Sequence, residues 1–263
     1  MISRRAFLEA GALAALAAAA TACSGGGRDA ASSTTAPTTP PTTPPTTPPA
    51  TTPPTAAPSG PAKFVDTGPA TRGRVALTFH TDGDLTMAQQ YLDVLAQHNA
   101  HVTCFIVGKW LDANPTWAAK LTAAGHELAN HTYNHLTFGQ LPPAQMTDEI
   151  VRCRDLLVRL TGKPGKYFRP SGTDDGTSTP PAAVLQASGA AGYATVLGFD
   201  VDPLDYTDPG AAVVTQRTLA AVKAGSIVSL HFNHAGTLAA LPGILDGLAQ
   251  KNLTPVTTSE LLA

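Results

Sequence analysis

Short apolar runs alternate with amphipathic helical stretches through the last two hundred or so residues of this 263-residue chain, and few architectures accept that order. Val75-Ala76-Leu77-Thr78-Phe79 has the length and composition of a buried strand, and Thr86 to His98 reads as a helix with Leu92 and Leu95 inward. His101 to Val107 predicts a second strand, Pro115 to Ala124 a helix, and His126 to Ala129 a short third strand. Pro143 to Thr161 is the clearest amphipathic helix, with Met146, Ile150, Cys153, Leu157 and Leu160 on one stripe. Tyr167-Phe168-Arg169 predicts a fourth strand, Pro180 to Ser188 a helix and Tyr193 to Gly198 a fifth strand. Pro209 to Ala224 and Leu238 to Asn252 read as helices around a strand at Ser226 to Leu230, and a last strand lies near Thr254 to Val256. Parallel strands need crossover connections, so this alternation predicts an α/β fold, and about seven repeats suggest a closed or nearly closed barrel.

The N-terminal quarter is organised differently. Ser3-Arg4-Arg5-Ala6-Phe7-Leu8 has the twin-arginine export pattern, and an alanine-rich run from Ala10 to Ala20 follows. Ala20-Thr21-Ala22-Cys23 resembles a bacterial lipobox, so residues 1–23 are read as a signal peptide and Cys23 as the site of a lipid anchor to the membrane. The alternative is an ordinary signal peptidase site with an incidental cysteine. Residues 24–62 are dominated by Thr, Pro, Ala, Ser and Gly, with too little apolar bulk to offset the entropy of ordering. Their prolines favour a semi-rigid polyproline II spacer with a reach on the order of 100 Å. Residues 63–263 are then one domain, expected at the extracytoplasmic face as a monomer. The formal net charge of −2, without a basic run, argues against nucleic acid as a partner. Cys104 falls in an apolar strand and Cys153 on an apolar helix face, where buried thiols and a disulfide are both open.

In parallel α/β barrels chemistry gathers at the C-terminal strand ends. Titratable residues stand at nearly all of them here. His80, Thr81, Asp82, Gly83 and Asp84 follow the first strand, His131 and His135 the third, and Arg169-Pro170 ends the fourth. Asp200, Asp202 and Asp205 follow the fifth, and His231 ends the next. The four-residue spacing of His131 and His135 places two imidazoles on one face of a helical turn, close enough to grip one metal ion. A solvated surface turn would carry the same pair. Among the remaining histidines, His126 is expected to be a buried hydrogen-bonding residue, His98 and His101 to be solvated, and His234 to be either at the cleft or at the surface.

Together these stretches resemble the polysaccharide deacetylases, the NodB-homology or carbohydrate esterase family 4 domain, from Arg74 to Ala263. Ala124-Gly125-His126-Glu127-Leu128-Ala129-Asn130-His131-Thr132-Tyr133-Asn134-His135 is very close to the family's metal motif. Arg74 to Phe79 resembles the entry to its first motif and Phe168-Arg169-Pro170 the third. Phe199 to Tyr206 resembles the fourth, with Tyr206 for a usual tryptophan, and Gly225 to His231 the fifth. The resemblance implies a deformed (β/α)7-type barrel that hydrolyses N-acetyl groups on sugars with a divalent metal, Zn2+ above all, or Co2+, Ni2+ or Mn2+. It implies His131 and His135 as metal ligands, His231 as the general acid, Asp205 as its orienting carboxylate and Arg169 as the partner of the base.

The first motif departs from the family, which carries Asp-Asp after Thr-Phe where this chain reads His80-Thr81-Asp82-Gly83-Asp84. With one residue inserted, Asp82 becomes the third ligand and His80 or Thr81 stands where the base belongs; otherwise Thr81 holds the metal position and Asp82 or Asp84 must reach in. We take Asp82 as the ligand with Asp84 its rival, and His80 as the base or an additional ligand, since a neutral imidazole accepts protons near pH 7. Asp174 and Asp175 are further carboxylates that can reach the cleft. The expected activity is deacetylation of N-acetylated cell-wall or chitin-like polysaccharide. The alternatives are a glycan-binding homologue without turnover, or an O-acetyl esterase.

Overall fold

The computed structural model describes residues 60–172 and 176–263. The expected export segment, lipidation site and nearly all of the spacer lie outside the described residues, as do Asp174 and Asp175. The described chain begins with β1 (Lys63–Val65), β2 (Arg74–Thr81), α1 (Leu85–Gln97), β3 (Thr103–Ile106), α2 (Gly108–Ala113), α3 (Thr116–Ala123), β4 (Glu127–Asn130) and α4 (Pro143–Thr161). It continues with α5 (Ala182–Ala190), β5 (Thr195–Leu197), α6 (Ala211–Ala221), β6 (Ile227–His231), α7 (Ala235–Gln250), β7 (Thr254–Val256) and α8 (Thr258–Leu261).

All strand pairings are parallel, with β2 at the centre between β3 and β6 and its first residues also bonded to β7. β4 extends the sheet beyond β3, and β1 pairs with β5. Single bridges close the gaps: Phe168 joins Asn130 of β4 on one side and Val196 of β5 on the other, and Val201 joins Val228 of β6. The result is a deformed (β/α)7-type barrel. Its expected fourth strand survives only as Phe168, and β1, α2 and α8 are additional elements, each too short to leave a readable period.

Strand parity decides which residues serve packing and which serve chemistry. Successive side chains on a strand point to opposite faces. Val75, Leu77 and Phe79 of β2, Cys104 and Ile106 of β3 and Val228 and Leu230 of β6 belong to the outer core under the helices. Ala76, Phe105, Ala129 and Ile227 belong to the inner core with Tyr167 and Leu197. Continuing that parity, Ala76, Thr78 and His80 share one face of β2, and Ile227, Ser229 and His231 share one face of β6. Thr81 falls to the other face, fully buried with its hydroxyl donating to the Phe79 carbonyl at 3.0 Å. The β2–β3 ladder runs without a bulge through Thr81 opposite Ile106. His80 and Thr81 both lie within β2, and Asp82 follows its last residue.

α4 has the bounds its apolar stripe predicts, with Pro143 in its first turn and Gly162 closing it in the left-handed region at φ 74°. Cys104 and Cys153 are free, fully buried thiols. Burial pushes both up to about 12, which leaves them unreactive near neutrality. Among the described residues no helix is long and apolar enough to cross a membrane.

His126 is buried, and its Nδ1 accepts from the Val102 N–H at 3.4 Å. Burial, with the nearby His101 as a lesser cause, lowers it to about 4. In the unfolded chain the same imidazole titrates near its ordinary value of about 6.5, so between these two values the unfolded state binds the proton. Fold stability therefore falls as pH drops from about 6.5 toward 4, by on the order of 2 kcal/mol from this group. Urea unfolding midpoints across that range are expected to show the decline, and His126→Asn to make it shallower by this group's share, leaving the part due to the other lowered imidazoles.

Candidate metal centre and active site

His131 follows directly on β4, fully buried, its N–H bonded to the Ile106 carbonyl at 2.9 Å. Its Nδ1 lies 2.9 Å from the carbonyl oxygen of Arg169. A carbonyl can only accept, so Nδ1 carries the proton and the Nε2 lone pair faces the cleft. Among the described residues that buried Nε2 has no hydrogen-bond partner. An orphaned buried acceptor costs stability unless something binds it, and an imidazole held through its other nitrogen by a carbonyl is the usual arrangement of a metal ligand.

His135 reaches the same point by a route the spacing did not predict. The expected helical turn is absent, because Thr132 (φ 68°) and His135 (φ 58°) both sit in the left-handed region and the segment is a bend. Glu149, buried on α4, makes that bend possible. Its carboxylate accepts the Tyr133 N–H at 3.1 Å, the Asn134 N–H at 2.7 Å and the Asn134 side-chain amide at 2.5 Å. Thr132 Oγ1 adds a bond from the His135 N–H at 3.2 Å. Glu149 lies one residue before Ile150 on the apolar stripe, and a carboxylate there is the signal that could have marked it.

His80 completes the arrangement. It stands in register with Phe105 and His231, and its ring lies 4.1 Å from His131 and 4.3 Å from His231 between centroids. One nitrogen each of His80, His131 and His135 fall within 4.8 Å of one another. Burial lowers all three imidazoles below their ordinary range, and neighbouring histidines push His80 and His131 further down; beside His135, Asp82 opposes the shift. Each is thus held neutral, the form that ligates metal.

Asp82 lines the same cleft, but its carboxylate is outside this trio. Asp84 is engaged elsewhere, since its side chain accepts the Met87 N–H at 2.9 Å as the N-cap of α1. Between them Gly83 (φ 92°) is pinned by the Trp110 indole N–H on its carbonyl at 2.9 Å and by Asn233, whose side chain occupies the space of a Cβ. Neither clamp was foreseen.

His231 and Asp205 stand side by side. Asp205 is buried in a 3-10 turn (Asp205–Thr207), with Oδ1 2.8 Å from His231 Nδ1 and Oδ2 accepting from the His231 N–H at 2.8 Å and Thr237 Oγ1 at 2.7 Å. His231 Nε2 is left toward the cleft. Arg169 is buried against the rings of Phe105 and Phe199. Its guanidinium donates to the carbonyls of Leu197 at 3.0 Å and Gly198 at 2.9 Å and to Thr78 Oγ1 at 2.9 Å, and reaches His80 Nε2 at 3.4 Å. Among the described residues it makes no ion pair, and burial lowers it to about 9 against a small opposing effect of Asp202. Asp200 is structural, accepting from the Ile227 N–H and Ser226 Oγ. His234 does reach the cleft, paired with Asp208 at 2.8 Å. The cleft itself has a volume of about 310 Å³ and carries Tyr206 at its rim.

Polysaccharide deacetylase is the family whose sequence profile matches residues 67–196. A peptidoglycan-N-acetylglucosamine deacetylase of Bacillus cereus is 33% identical over 194 residues, covering 72% of this chain and 87% of that protein. A chitooligosaccharide deacetylase of a Bradyrhizobium species is 33% identical over 165 residues, covering 60% of this chain and 69% of that one. The solved family 4 carbohydrate esterase of Streptomyces lividans, in complex with acetate, superposes with a TM-score of 0.62 at 32% identity, covering 70% of this chain and 91% of that one. This chain belongs to the polysaccharide deacetylase family.

The Glu149 clamp is open to a stability test. Glu149→Ala strands three partly buried donors and is expected to cost on the order of 1–3 kcal/mol, whereas Glu149→Gln keeps one accepting oxygen and costs less. Urea denaturation followed by circular dichroism measures both.

Proposed function

We propose that this chain is a metal-dependent deacetylase that hydrolyses acetamide groups on the N-acetylated amino sugars of a cell-wall polysaccharide. One observation carries the reading: the buried, unpartnered Nε2 of His131 faces two further imidazole nitrogens, one ring away from the Asp205–His231 pair. The donor chemistry fits a borderline divalent ion, Zn2+ first, with Co2+, Ni2+ or Mn2+ as substitutes. When bound, such an ion supplies Lewis acidity toward an acetamide carbonyl and lowers the pKa of water.

The chain's own residues do the rest. His131 and His135 hold the ion, with a third donor from the end of β2. His231 presents Nε2 to the cleft and gives a proton to the departing amine nitrogen as the amide C–N bond breaks, leaving acetate and a free amino sugar. Asp205 holds the His231 ring through Nδ1 and balances the charge that ring acquires, fixed in place by the His231 N–H and Thr237. Arg169 keeps the His131 ring in orientation through its carbonyl. Tyr206, exposed at the rim, is placed to stack on a sugar ring. The relatives' names supply the substrate class, and Arg4-Arg5, Cys23 and the Thr/Pro spacer support an exported, lipid-anchored enzyme that reaches into the wall.

The departure of the first motif from Asp-Asp favours a second reading, a homologue that binds glycan without turning it over. Acetate release from N-acetylglucosamine oligomers and from peptidoglycan separates the two. The metal-dependent enzyme is expected to lose activity with a chelator and regain it with Zn2+ or Co2+, and His231→Ala to lower kcat by on the order of 10²–10⁴-fold with little change in KM. Glycan binding without acetate release under any metal would establish the second reading. Release from O-acetylated substrates alone would make the chain an esterase.

A further inference from the structure

The strand that should bring two aspartates to the metal brings a histidine and a threonine instead, and the structure shows where each goes. Thr81 faces away from the cleft, buried and bonded to the Phe79 carbonyl. Asp84 is spent on the N-cap of α1, and Gly83 between it and Asp82 is clamped by Trp110 and Asn233, so the loop holds the Asp82 carboxylate at the cleft wall. His80 alone projects from β2 toward His131 and His135 with a nitrogen inside their 4.8 Å triangle.

Two neighbours compete for the His80 ring, and neither uses up its lone pair. Arg169 Nη1 is committed to Thr78 Oγ1 at 2.9 Å and comes only to 3.4 Å from His80 Nε2, a long contact for an N–H donor. His231 stands edge-on to His80, but its Nδ1 is taken by Asp205 at 2.8 Å. We propose that His80 is the third metal ligand, so that this chain builds an all-imidazole site from His80, His131 and His135, with no carboxylate in the ligand set. This changes the ligand set expected for the first loop: His80 binds the ion, while Asp82 stays outside the ligand set as a carboxylate of the cleft wall. Three neutral donors leave the ion's full charge in a site that also holds Arg169, and nitrogen donors favour Zn2+, Co2+ and Ni2+ over the oxygen-seeking Mn2+ and Mg2+.

The inference rests on the metal-dependent reading above, and binding of the metal alone tests it apart from catalysis. The folded domain is loaded with Co2+ or Zn2+; stoichiometry comes from elemental analysis, affinity from chelator competition, and the ligand set from the Co2+ visible spectrum. His80→Ala is expected to weaken Co2+ binding on the order of 100-fold or more and His80→Asp to retain binding with an altered spectrum, while Asp82→Asn binds within about threefold of the native chain. X-ray absorption of the Zn2+-loaded native protein, which needs no variant to fold, is expected to count three imidazoles and no protein carboxylate. Two imidazoles and a carboxylate, or loss of the ion in Asp82→Asn with normal binding in His80→Ala, overturns the assignment of His80. Failure of the native protein to bind either ion overturns the metal-dependent reading itself, and this inference with it.

Discussion

A single buried guanidinium holds the upper rim of this barrel together. Arg169 follows Phe168, the lone residue that stands where a fourth strand would run, and the ring is weakest there because only isolated bridges cross it. The side chain spans the gap by donating to two carbonyls at the end of β5 and to Thr78 on β2, across the barrel. Its own carbonyl meanwhile sets the tautomer of His131. Burying a charge without a carboxylate is costly, and several carbonyl dipoles with two aromatic faces are what offset it here. The same residue therefore closes the fold and orients the His131 ring, so barrel and site cannot be separated energetically.

Around that point the protein uses carboxylates as organisers. Glu149 fixes the histidine bend from behind by collecting three donors, Asp205 collects the His231 backbone, the His231 ring and Thr237, and Asp84 caps α1. In each case the charge is spent on backbone geometry, which makes the side chains in front of it rigid before any ligand arrives. Of the three clustered imidazoles His131 is buried, His80 half-buried and His135 exposed, and all three are held below their ordinary range. Such a conflict between packing and polar satisfaction is expected at a functional site.

Much of this was legible in one dimension. The βα alternation named the architecture, the stripe from Met146 to Leu157 gave α4 its bounds, and the positions of His131, His135, Arg169, Asp205 and His231 at strand ends foretold the cleft. The failures were local and had one origin. The four-residue histidine spacing suggested a helical turn because spacing cannot report backbone sign, and two left-handed residues held by a distant glutamate made a bend of it. Phe168 looked like part of a strand because a run of three apolar or amphipathic residues cannot be told from a single bridge.

The sequence by itself determined the layered α/β plan, the inventory of histidines and carboxylates at the strand ends, and the departure of the first motif from the family's pair of aspartates, because composition and period are one-dimensional properties. Which member of His80-Thr81-Asp82 stands beside His131 and His135 was decided only in three dimensions. An unbulged ladder sets the parity of β2, which turns His80 inward and Thr81 outward, and the clamps on Gly83 and Asp84 hold the loop beyond it. Those constraints come from β3, α1, Trp110 and Asn233, residues that no spacing within the motif could reveal.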